Sequence, residues 1–205
     1  MLFFIFLLAY AVSAHQPRFV DEDFTHIKNP EVSQAFYGEL DGFPEKFQIK
    51  SDNPFMLYVG ILVPYLDNID KDISVEINSG KDKFSLNGLE HEWTEFYEEY
   101  AGDAYYEGPE MKQQVSEGIY DIVVFSPDNK GKYVLVVGQK EEFPFNEMIK
   151  TMRSLPRLKI FFEKSPLTAF VNMVGFFLFI TYIMTAGTIL ILIWLIRKLI
   201  TLKYS

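Results

Sequence analysis

From Leu167 to Ile196 the chain runs through thirty residues without a charged side chain, and Arg197 and Lys198 follow at once. At ~1.5 Å per residue, a helix over this run reaches roughly 45 Å, more than the ~30 Å hydrocarbon core of a bilayer requires. Backbone groups in hydrocarbon must bond within their own segment, so the run reads as one helix. It divides the chain into a membrane-spanning helix at 166–196, a tail at 197–205, and a preceding segment confined to one side of the membrane.

The other end supplies the orientation. Leu2 to Val12 is a short apolar run, and Val12 and Ala14 fit the small-residue rule for signal-peptidase cleavage before His15-Gln16-Pro17. Residues 1–14 are therefore expected to be a signal peptide, although no Lys or Arg precedes the apolar run. Residues 15–165 hold all 28 acidic residues and 16 of the 19 Lys and Arg, a net −12, whereas the tail carries Arg197, Lys198 and Lys203 and no acid. Basic residues stay on the cytoplasmic side. The expectation is a single-pass type I cell-membrane protein with its N-terminal domain outside the cytoplasm.

An exterior segment of this length buries a core of its own, and its aromatic content argues against disorder. It has no cysteine, which excludes disulfide scaffolds, thiolate metal sites and thiol nucleophiles. It has no Asn-x-Ser/Thr sequon either, a combination more typical of a prokaryotic cell envelope than of a eukaryotic secretory route. Its acidic balance repels nucleic acid phosphates and anionic lipid, so neither is an expected partner.

Residues 15–30, with Pro17, Pro30 and Asp21-Glu22-Asp23, read as an extended arm. Short β-type runs follow over 31–142. Gln34–Leu40 is closed by Asp41-Gly42; Phe47 and Ile49 alternate with Gln48 and Lys50; Phe55–Val63 is nearly continuously apolar. Ile73, Val75 and Ile77 alternate with polar neighbours, and Ser79-Gly80-Lys81-Asp82 makes a hairpin to Phe84 and Leu86. Met111–Val115 is another strand, and Ile119–Phe125 and Lys132–Val137 read as a pair joined through Ser126–Gly131. About eight short strands separated by turn signals predict an antiparallel, jelly-roll-like β-sandwich. At 143–165 the period becomes helical. Phe145, Ile149 and Met152 share a face, Pro156 is expected to end the helix, and Arg153, Arg157, Lys159 and Lys164 make this stem basic. The stem either lies on lipid headgroups or packs on the sandwich.

Residues 90–110 stand apart. They hold eight carboxylates, six aromatics and no Lys or Arg. Trp93, Phe96, Tyr97 and Tyr100 fall at i, i+3, i+4, i+7, which predicts a short helical insertion ended by Gly102. Trp93, Tyr97, Tyr100, Tyr105, Tyr106 and Glu107 are the candidate binding residues. Either they cap the core and the acids are solvated, or the aromatics stack on a glycan or peptide ligand while the acids accept hydrogen bonds. Asp67, Asp70 and Asp72 form an acidic loop of calcium-ligand chemistry, without the glycine and terminal Glu of an EF-hand. No catalytic motif occurs, so no enzyme activity and no cofactor are expected, with calcium as the alternative. Paired carboxylates leave an envelope glycosidase as a minor reading. In the anchor, Asn172, Thr181 and Thr185 are candidates for helix pairing; threonine also bonds its own backbone.

The stretches Gln34–Leu40, Ser51–Phe55 through Val63-Pro64, Phe96–Tyr100 to Tyr106–Glu110 and Lys132–Leu135 together resemble an uncharacterised family of prokaryotic envelope proteins. That resemblance implies a signal peptide, an acidic β-rich ectodomain, a Pro-Arg-Leu-Lys stem and one C-terminal helix. Gly118-Ile119-Tyr120 and Gly131-Lys132-Tyr133-Val134-Leu135 are similar to strands of the jelly-roll accessory domains of secreted peptidases. The expected function is noncatalytic binding or scaffolding at the membrane. Partners would be the lipid bilayer and either the other subunits of a membrane complex or a protein or glycan ligand.

Overall fold

The computed structural model describes residues 15–22, 24–98, 102–142, 144–170 and 173–203. The expected signal peptide, Tyr100 and Asn172 lie outside them. The strands are β1 Gln16–Phe19, β2 Phe24–Ile27, β3 Gln34–Asp41, β4 Glu45–Ser51, β5 Phe55–Pro64, β6 Ser74–Asn78, β7 Lys83–Leu86, β8 Thr94–Glu98, β9 Asp103–Val115, β10 Gly118–Phe125 and β11 Lys130–Val137. Helices α1 Phe145–Phe161 and α2 Met173–Lys203 follow, with a short 3₁₀ turn Pro166–Phe170 between them.

The strands form two facing sheets, ordered β1-β3-β11-β5-β9-β8 and β2-β4-β10-β6-β7. Alternation along each strand sorts the side chains. In β5, Phe55, Leu57, Val59, Ile61 and Val63 point into the space between the sheets, where Phe47, Ile49, Val75, Ile77, Ile122, Val124 and Leu135 meet them. Period-2 patterning in sequence thus becomes a dry two-layer core, as expected of a sandwich. The opposite face of the six-stranded sheet is also covered. Ala35, Tyr37, Leu62, Tyr105, Val134 and Val136 pack there under Leu155, Leu158 and Phe162, so the stem lies on the sandwich.

Four expectations change. The sheets are mixed rather than wholly antiparallel, because the presumed arm supplies β1 alongside β3 and β2 alongside β4, both parallel. β10 and β11 are not partners. Each already has two neighbours, β4 and β6 for one and β3 and β5 for the other, so their connection crosses between sheets. The predicted helix around Trp93–Tyr100 is instead strand β8, paired with β9 through Phe96↔Tyr105 and Tyr97↔Ala104. Cross-strand aromatic contacts and a hairpin closed at Gly102 (φ +70°) outweigh the helix preference of its glutamates. Finally, Pro156 lies inside α1 instead of ending it. The missing donor is tolerated because Leu155 and Leu158, on either side of it, are buried against the sheet.

Helix α2 contains the segment Phe179–Lys198, long and apolar enough to cross a membrane, with none of it buried against the rest of the described chain. Thr185 donates to the Thr181 carbonyl at 2.7 Å and Thr188 to that of Met184 at 2.8 Å, so these hydroxyls bond their own helix.

Candidate functional site

The outer face of the six-stranded sheet holds most of the buried polar chemistry. Asp103, at the start of β9, is fully buried and accepts from Lys159 at 2.7 Å and Lys164 at 2.8 Å. The Lys159 side chain is only 3% exposed. Beside it the Tyr37 and Tyr105 hydroxyls, both buried, share a hydrogen bond of 2.9 Å. Burial pushes both phenols above their ordinary range. At the other end of α1, Glu147 accepts from Lys150 at 2.7 Å and Arg18 at 2.9 Å. Burial alone would raise the Glu147 carboxyl, but the bonds from Lys150 and Arg18 hold it below the usual range. Arg157 pairs with Asp21 and covers the Phe19 ring at 4.1 Å. Charged contacts thus clamp the stem at both ends.

Beside the stem a groove of about 470 Å3 opens on the same face. Its floor is Gly60. A side chain there would meet the Tyr58 hydroxyl at 3.3 Å and Glu110 at 3.5 Å. One wall is made by an irregularity in β9. Leu62 pairs with Glu107 and Gly60 with Glu110, which sets Gly108 and Pro109 opposite Ile61 alone. This bulge turns Glu107 and Glu110, three apart in sequence, onto one face, as bulges beside functional sites do. Gly108 is required because a Cβ would lie 2.5 Å from the Trp93 ring. Tyr58 donates to Glu110 at 2.5 Å, and burial, that bond and the charges of Glu110 and Glu107 raise its phenol. Phe96, Ile61, Leu62, Val136, His15, Ser33 and Gln139 complete the lining. His15 bonds Ser33, and burial lowers its imidazole below its ordinary range, favouring the neutral ring. The result is an open, acidic, partly aromatic groove that accepts hydrogen bonds from amines or hydroxyls.

The sequence candidates are dispersed by strand alternation. Glu107 lines the groove. Tyr97 is 62% exposed on edge strand β8. Tyr105 is buried under α1, whereas Tyr106 faces the other way, stacks on Tyr65 at 4.8 Å and lies under Lys71. Trp93 is half-buried and donates to the Gly88 carbonyl at 2.8 Å. Asp67 and Asp70 are exposed, and Asp72 is raised by burial and by the charges of Asp70 and Asp128. Among the described residues no three His, Cys, Asp or Glu side chains are grouped to hold a metal. Tyr58, Gly60, Phe96, Glu110 and His15 were not among the candidates. The usable signals were Gly60 interrupting an apolar strand and Gly108-Pro109 inside another.

No family model matches the chain, and no curated protein matches it. Among solved structures it is similar to the pre-peptidase C-terminal domain of a collagenase from Bacillus anthracis, at 12% identity and TM-score 0.37, over 58% of this chain and 96% of that one. A ruminal GH26 endo-β-1,4-mannanase matches at 13% identity and TM-score 0.28, over 53% of this chain and 20% of its own. A β-glucosidase from Paenibacillus barengoltzii matches at 10% identity and TM-score 0.28, over 60% of this chain and 13% of its own. One of the three is thus a peptidase accessory domain. The resemblance to an envelope family has no matching family model behind it.

Proposed function

We propose that the protein is a noncatalytic binding or scaffolding module held at the outer face of a cell membrane by α2. Its acidic groove beside the stem receives a donor-rich, basic segment of a neighbouring protein. The observation that carries the reading is the groove itself. The β9 bulge gathers Glu107 and Glu110 over the side-chain-free floor at Gly60, with Phe96 alongside as an apolar contact. Carboxylates accept strongly from cationic donors, and the aromatic ring covers the aliphatic part of a bound side chain. The net −12 of residues 15–165 and the basic tail support the orientation.

The test uses the full chain in its native membranes, with a photoreactive residue replacing Phe96. The expected result is one discrete protein adduct, lost when Glu107→Gln and Glu110→Gln are introduced together. An adduct pattern indifferent to both substitutions contradicts the groove assignment. Adducts only with glycan would move the ligand to sugars, and hydrolysis of a glycan panel by the folded chain would replace binding with catalysis.

A further inference from the structure

Helix α1 packs a mixed polar and apolar face on the sandwich and carries a separate apolar stripe on its flank. Glu147, Thr151, Leu155, Leu158 and Lys159 are buried against the sheet. At 100° per residue a second stripe runs along the flank through Phe145, Met148, Ile149, Met152, Pro156 and Ile160. Phe145 is 75% exposed and Ile160 58%, and Leu167 continues the exposure to 74% just past the helix. A stripe of this kind on an otherwise acidic, water-facing domain marks an interaction surface.

Building on the membrane-anchored reading above, we infer that this stripe is seated in the outer headgroup layer of the bilayer, so that α1 lies between the sandwich and the lipid. Three observations identify the occupant. The 3₁₀ turn Pro166–Phe170, which carries the exposed Leu167, contacts both α1 and α2, so the stripe ends close to the start of the spanning helix. The uncharged run of thirty residues exceeds the ~20 that a span needs by about ten. Residues 167–170 of that run lie ahead of α2, in the 3₁₀ turn Pro166–Phe170, and make a short apolar segment between α1 and the span. Charge agrees as well. Between Pro144 and Ser165 there are five basic residues and two acidic ones, in a 15–165 segment of net −12. Arg153 is exposed on this helix and suited to a lipid phosphate, while Lys150 is engaged by Glu147. Interfacial helices with a basic flank bury their apolar face ~5–10 Å into the boundary. Seated in this way, the sandwich is held at a fixed tilt by two attachments, α1 and α2.

The chain has no cysteine, so single-cysteine variants each carry one spin label. The test labels Phe145→Cys, Ile160→Cys, Ile189→Cys in α2 and Lys81→Cys in the β6–β7 hairpin. The full chain is placed in vesicles of phosphatidylcholine with phosphatidylglycerol, and relaxation by lipid-soluble oxygen is compared with that by a water-soluble nickel chelate. The expected result is loss of nickel accessibility at 145 and 160 toward that at 189, with 81 fully accessible. If 145 and 160 behave like 81 while 189 is in lipid, the inference is overturned and the anchor stands. If 189 also behaves like 81, the anchored reading fails and the inference with it. Protection at 145 and 160 from both agents means that protein covers the stripe, which also overturns the inference.

Discussion

The two faces of the six-stranded sheet are built from the same strands by different physics. The inner face is apolar throughout. Leu57, Val59, Leu135 and Val137 are fully buried there, and strands β3, β5 and β11 contribute to it by alternation. The outer face has fewer apolar contacts and carries the buried Asp103–Lys159–Lys164 cluster, the Tyr37–Tyr105 pair and the Glu147–Arg18 bond. The inner face therefore supplies most of the stability. The outer face fixes where the stem sits, since an ion pair in a dry site tolerates little displacement. Burying a charge is costly unless its partner is in place, so the clamp adds specificity more than strength.

The largest expected effect tests that division. Asp103→Ala leaves Lys159 buried without its main acceptor and should destabilise the full chain in detergent by about 3–5 kcal/mol, read by urea unfolding. Replacing both partners, Asp103→Leu with Lys159→Met, should recover most of the loss; if it does not, the cluster is a source of strength. On the inner face Leu57→Ala should cost about 2–5 kcal/mol, with no paired substitution able to restore it.

The tyrosine pair sharpens the comparison further. Tyr105→Phe leaves the Tyr37 hydroxyl buried without its partner and should cost about 1–3 kcal/mol, whereas the double Phe variant should be milder. Alkaline titration reads the same groups. Burial raises the folded-state pKa of Tyr37, Tyr105 and Tyr133 above the ordinary 10.0. Their contribution is complete below pH ~10. Above it the unfolded chain ionises first, so stability should fall with rising pH by roughly 1.4 kcal/mol per pH unit for each such tyrosine. Tyrosinate absorbance that rises together with unfolding, and not before it, is the expected record. The smallest effect belongs to the flank of α1. Ile160→Ser should change stability by less than about 0.5 kcal/mol in detergent, and a larger loss would mean that the residue packs inside the chain.

The contrast also explains what could be read from the amino acids alone. The inner face announces itself, since Phe47/Ile49 and Ile73/Val75/Ile77 alternate with polar neighbours and fell where expected, and Ile119–Phe125 is a strand as expected although its partners are not. The uncharged run likewise gave a helix long and apolar enough to span a membrane. The outer face hides, because its contacts are long-range and polar. Nothing near Asp103 in sequence points to Lys159, 56 positions away. The period of Phe145, Ile149 and Met152 correctly marked a helix but not the face that packs, since the packed face carries Glu147 and Lys159. Residues 93–100 satisfied a helical period by chance of spacing, while their aromatic content and Gly102 favoured a hairpin. The groove depends on a bulge that shifts register by one residue, so alternation assigns Glu107 and Glu110 to opposite faces and misses their convergence.

The central claim is that the stem is a fixed part of the sandwich and not a tether. Amide hydrogen exchange of the full chain in lipid nanodiscs tests it most directly. The account predicts that residues 151–162 of the stem are protected nearly as well as β11, and that Asp103→Asn strips protection from the stem while leaving the inner strands protected. Rapid exchange along the stem in the unaltered chain, with the strands still protected, would contradict it.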